Sequence, residues 1–113
     1  MRVYVEKSGV EFQAWFESNP GTPTVPVSAH WKLYDVTNEK DLQDWTELTP
    51  VILQDNGVTS GVRVTIDVPG SLNAIQNSKN SRELKRVIVV AGKDTDREFA
   101  ETRDYYIRKV GRG

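Results

Sequence analysis

The sequence predicts an all-β sandwich of about seven strands. Three observations carry this. First, Val62, Val64, Ile66 and Val68 alternate with Arg63, Thr65 and Asp67, and Phe12, Ala14 and Phe16 alternate with Gln13, Trp15 and Glu17. A period of two sends each set to its own face of a sheet. Second, turn residues recur roughly every 8–12 positions, the spacing of short antiparallel strands. Third, a single segment, 70–76, carries any helical pattern.

The elements follow in order. Arg2 to Glu6 reads as a short strand, and Lys7-Ser8-Gly9 as a turn, since glycine tolerates positive φ. Val10 to Glu17 is the second strand, with Phe12, Ala14 and Phe16 inward. Pro20, Pro23 and Pro26 then make a stiff connector or edge, because proline donates nothing to a ladder. Val27 to Val36 is the third strand. Val27, Ala29, Trp31 and Leu33 share one face, and Ser28, His30, Lys32 and Tyr34 the other. After the polar turn Thr37 to Asp41, Leu42 to Leu48 forms a short edge strand carrying Trp45. Thr49-Pro50 breaks it, and Val51 to Gln54 is a further short strand.

Asp55-Asn56-Gly57 is a tight-turn signal, as both Asn and Gly accept left-handed geometry. Val58 to Val68 is the clearest strand of the chain, and Pro69 ends it. Ser71 is placed to cap a helical turn in which Leu72, Ile75 and Gln76 share a face. Arg82 to Gly92 is the next strand. Its continuously apolar centre, Val87 to Ala91, predicts a central position buried on both faces. A charged turn, Lys93 to Arg97, precedes the last strand, Glu98 to Val110, and residues 111–113 form a flexible end. The whole fits one immunoglobulin-like or fibronectin-type-III-like sandwich over residues 1–113, with one short helical turn near 70–76.

A chain of 113 residues suffices for one core, burying roughly 65% of the surface its unfolded form exposes. Fifteen Lys and Arg against sixteen Asp and Glu argue against nucleic-acid binding through bulk charge. With no cysteine there is no disulfide framework and no thiol chemistry. The start of the chain lacks the apolar stretch of a signal peptide, so synthesis and folding in the cytosol are expected. No run approaches the roughly 18 apolar residues of a membrane span.

Catalytic candidates are few. The single histidine, His30, sits on the face opposite the core set, and no spacing ties it to Ser28 or Ser60 as nucleophile. It reads as a surface or interface residue. Asp94, Asp96 and Glu98 alternate as in some cation loops, but Arg97 interrupts them and no glycine bends the loop. A solvated hairpin turn is the reading taken, and no enzyme, metal or cofactor is expected. Arg82, Lys85 and Arg86, with Lys79 upstream, form a local basic cluster that could meet an acidic partner surface, although on a strand Lys85 and Arg86 point to opposite faces. Of the aromatics, Trp31 is placed for the core. Trp15, Trp45, Tyr105 and Tyr106 either anchor an interface, where Trp and Tyr are enriched, or cover the ends of the core.

Several blocks together resemble small structural proteins of tailed bacteriophages. They are Phe12-Gln13-Ala14-Trp15-Phe16, the run from Pro26 to Val36, and Trp45 to Pro50. The strand Val64 to Val68 with Pro69 and Leu72-Asn73-Ala74-Ile75, the segment Glu83 to Ala91, and Tyr105 to Val110 complete the set. In order they cover nearly the whole chain. The resemblance implies a capsid decoration, or cement, protein that binds and stabilises the outer surface of the major capsid protein shell. It implies a virion location, and the major capsid protein and copies of the chain itself as partners. A neck or tail accessory role, or a glycan or host-surface binding module, are the alternatives. The candidate interface is then Trp15, Trp45, Tyr105, Tyr106, Arg82, Lys85 and Arg86.

Overall fold

Eight strands form among the described residues, where about seven are expected from the sequence. In this computed structural model they are β1 (Arg2–Val5), β2 (Val10–Glu17), β3 (Ser28–Asp35), β4 (Lys40–Leu48), β5 (Val51–Asp55), β6 (Val58–Val68), β7 (Arg82–Gly92) and β8 (Phe99–Arg108). The structure describes residues 2–17, 28–55, 58–92 and 99–110, without the side chains of 16–17, 52–55, 58–62 and 99. The Asn56-Gly57 turn, the proline-rich connector and the Asp94, Asp96 and Glu98 cluster lie outside them.

One sheet runs β1-β8-β7-β3-β4 and the other β2-β6-β5. The two are stacked as a sandwich. Neighbours are antiparallel except β1, which crosses over to pair parallel with β8, Arg2 opposite Tyr105. In the lettering of immunoglobulin domains β2-β6-β5 is B-E-D and β8-β7-β3-β4 is G-F-C-C′, with β1 added beside G, and Trp31 on the third strand is buried where those domains bury a tryptophan. No disulfide joins the sheets. Apolar packing does the work: Val10, Ala14, Val64, Ile66 and Val68 from one sheet meet Trp31, Leu33, Val87, Val89, Tyr105 and Ile107 from the other.

The alternation in the sequence is the alternation in space. β3 reads half-buried and buried by turns along its whole length, so the face of Ala29, Trp31 and Leu33 is the core face. β7 is central, between β8 and β3, as its apolar run predicts. Its burial is one-sided, however. Val87, Val89 and Ala91 are buried, while Ile88 and Val90 are only half covered. The reason is architectural: a two-layer sandwich has no third layer to cover the outer face of a central strand.

The helical turn also differs from expectation. It is a 3-10 helix of four residues, Gly70–Asn73, entered from Pro69 with no side-chain cap. Ser71 lies within the turn and does not cap it. Leu72 and Ile75 pack against the core, whereas Gln76 is exposed. The turn is held by its neighbour, the β1–β2 connection. Lys7 takes a positive φ of 65° there and donates its N–H to the Asn73 carbonyl at 2.8 Å. A Cβ on Gly70 would stand 2.3 Å from the Lys7 carbonyl oxygen, so the close approach needs glycine.

Candidate interaction surface

Alternation decides which candidate residues reach the surface. Odd positions of β7 from Glu83 to Ala91 face inward, and even positions face out. Lys85 therefore shares a face with Val87 and Val89 and is completely buried. It cannot meet a partner's acidic surface, because two acids inside the molecule already hold it. Its ammonium donates to Asp35 Oδ2 and to Glu83 Oε1, each at 3.0 Å. Tyr105 is likewise fully buried. Its hydroxyl donates to Asn73 Oδ1 at 2.7 Å, and its ring packs on Phe12, with centroids 5.4 Å apart, and edge-on to Tyr4. Both residues are corrected from candidate contact to internal support.

The buried triad carries one cation and two anions, and the excess negative charge is met by amides. Asp35 accepts from the backbone and side-chain N–H of Asn38. Glu83 accepts from the backbone N–H groups of Gln76 and Asn77 and from the Asn80 amide, at 2.7, 2.9 and 3.0 Å. Burial raises the pKa of the Glu83 carboxyl, but the surrounding amides of Asn38, Gln76, Asn80 and Asn77 lower it by more. The net value is about 2, so the group is ionised at neutral pH. Nearby, the Asn73 amide donates to the Ser8 carbonyl at 2.8 Å and ties the 3-10 turn to the β1–β2 connection. Burial pushes the Tyr105 phenol up, with the bond to Asn73 opposing it. These groups are all engaged with one another, and they read as structural.

The sequence carried a signal for this triad that charge grouping hid. Asp35 has the parity of Trp31 and Leu33, and Lys85 and Glu83 have the parity of Val87. The inward phase of two apolar strands already pointed all three at the interior.

The other five candidates are on the outside. Arg86 makes a two-pronged contact with Asp104 directly across the β7–β8 ladder, at 2.7 and 2.9 Å. This bond raises the Arg86 pKa and lowers that of Asp104. Arg82 lies over the Tyr106 ring, 5.0 Å from its centroid. Trp45, on the edge strand β4, is half-buried under the Lys32 ammonium at 5.3 Å, and Lys32 also reaches Asp41. His30 is half-buried on the same outer face, opposite Glu47.

Trp15 stands apart from these. It is 52% exposed on the outer face of the three-stranded sheet. Ladder pairing sets it beside Arg63, and Arg63 beside Val51, which is 47% exposed. The Arg63 Nε is covered and has no hydrogen-bond partner among the described residues. Beside this row, where β2 borders β1 and β8, runs an open groove of about 590 Å³. Arg2, Tyr4, Phe12, Gln13, Trp15 and Arg103 are among the residues that line it. Arg103 is paired with Glu101. Among the described residues no group of three or more His, Cys, Asp or Glu converges as metal ligands do.

No family model matches the chain, and neither a curated protein nor a solved structure matches it.

Proposed function

We propose that this chain is a non-enzymatic structural protein of a bacteriophage virion, which docks on the outer surface of the capsid shell and reinforces it. One observation carries the reading. The buried polar side chains Asp35, Asn73, Glu83 and Lys85 are engaged within the molecule, while the large half-exposed Trp15 sits on the outer sheet face beside Arg63 and an open groove. Tryptophan and arginine are among the residue types that carry binding energy between proteins. Repetition over a symmetric shell multiplies a modest contact through effective concentration.

The test is binding of the purified chain to capsid shells that lack it, followed by co-sedimentation. Trp15→Ala should weaken binding by about 2 kcal/mol per site while leaving the thermal unfolding of the free chain unchanged. Equal occupancy by wild type and variant contradicts the reading. Glycan binding that disappears in the same variant would instead favour a module that stacks sugars on Trp15.

A further inference from the structure

We propose that copies of this chain stack face to back, the Arg82 and Arg108 pair on the outer face of one copy's five-stranded sheet meeting the Glu11 and Asp67 pair on the outer face of the next copy's three-stranded sheet. This goes beyond the docking reading and stands whether or not the chain binds a shell.

Elsewhere on the outer faces, charged residues meet a suitable neighbour across the ladder. Arg86 faces Asp104 and is bonded to it, and His30 faces Glu47. Two positions depart from this. Arg82 lies directly opposite Arg108 in the β7–β8 ladder, and Glu11 directly opposite Asp67 in the β2–β6 ladder. Residues directly opposite in an antiparallel ladder point to the same face, and like charges there repel. All four side chains are exposed, and among the described residues none forms a salt bridge. Glu6, close by in the chain fold, gives its carboxylate to the Val110 N–H instead. Residues 111–113 bring no acidic side chain. The fold itself therefore relieves neither repulsion, whereas each pair is the complement of the other.

The two pairs are also placed to meet. Phe12 packs on Tyr105, so β2 lies over β8. β6 comes close to β4, which is on the β7 side of β8, so β6 lies toward β7. The strands that carry Glu11 and Asp67 thus back the strands that carry Arg108 and Arg82. Both pairs lie toward the end of the slab that holds the β1–β2 connection, where the Glu6 N–H donates to the Arg108 carbonyl. With Phe12 at the height of Tyr105, Glu11 stands within two residues of Arg108, about 7 Å, which an arginine side chain spans. The segment 93–98 is joined at the opposite end of this ladder, nine residues along β7 from Arg82 and roughly 30 Å away. A second copy laid on the first in the same orientation therefore brings its acids onto the arginines. The neighbouring rows, Val3 with Tyr106 and Leu84 on one face and Gln13 with Thr65 on the other, carry no charge to oppose it.

The contact joins two different faces, so it is heterologous and can add further copies. The copy at one end of a stack keeps its Trp15 row open.

Sedimentation velocity of the purified chain in about 20 mM salt should show average size rising between about 20 and 500 μM, and falling back in about 0.5 M salt. Arg82→Glu with Arg108→Glu presents acids on both faces, and Glu11→Lys with Asp67→Lys presents bases on both. Each double variant alone should associate about tenfold more weakly than wild type, or worse. An equimolar mixture of the two should associate at least as well as wild type, because the arginine face of one variant meets the acidic face of the other. Thermal unfolding checks that both variants fold, as expected for exposed positions. A wild-type chain that stays monomeric across this range overturns the proposal and leaves the arginine pair to a foreign acidic partner. Variants that associate as wild type does also overturn it, as does a mixture that associates no better than either variant alone.

Discussion

Glu83 ties the segment 76–80 to β7. Both its carboxylate oxygens accept two donors: Lys85 and the Gln76 N–H on Oε1, the Asn77 N–H and the Asn80 amide on Oε2. Glu83→Gln replaces one oxygen with an NH2 group. In either flip that group faces donors and leaves them unsatisfied. The variant should lose about 3 kcal/mol at pH 7, read by urea unfolding. The same carboxyl makes the protein acid-sensitive. Its pKa falls from 4.5 to about 2 on folding, so its contribution is complete above about pH 4.5 and is lost as pH drops toward 2. Stability measured across that window should fall for the wild type, and with a shallower slope for Glu83→Gln. An equal slope in both would place the acid sensitivity on other carboxylates, such as Asp104, which is also lowered.

At the scale of elements, the strands were legible and their connections were not. Strict alternation located β2, β3 and β6 to within a residue or two, because burying one face of a pleated strand leaves that pattern in the sequence. The apolar run Val87 to Ala91 gave β7 its central position but overstated its burial, since β propensity alone keeps Ile88 and Val90 apolar on a half-covered face. The turn after β6 was visible through Pro69, but its support was not. Lys7 and Gly70 are far apart in sequence, and only the crossing of two connections brings them together. Gly70→Ala drives a Cβ to 2.3 Å from the Lys7 carbonyl oxygen, which backbone cannot avoid without moving. Thermal and denaturant unfolding should show a loss of about 1–3 kcal/mol. A neutral result would mean that the two connections part at little cost. The candidate contacts were only partly legible for the same reason. Trp15 was found because its parity opposes Phe12; Lys85 and Arg86, and Tyr105 and Tyr106, must point to opposite faces, but which of each pair faces the core was not assigned from the sequence.

The whole molecule is a slim slab, 54 × 27 × 19 Å, as two stacked sheets require. Its radius of gyration of 16.3 Å exceeds the roughly 13 Å of a compact globule of this length. An elongated domain braced internally by the buried Lys85, Asp35 and Glu83 cluster suits a role of bridging, and it carries the Trp15 row on its outer face. The docking reading places many copies of such a slab on a symmetric surface. Quantitative mass spectrometry of particles purified from a lysate in which the chain is expressed counts those copies against the major shell protein. A ratio near one-to-one, or a simple fraction of it, is the result predicted for a shell-bound protein. A count of about six or twelve per particle is the signature of a ring at the neck or tail. That count, or absence of the chain from the particles, would contradict the shell-docking reading.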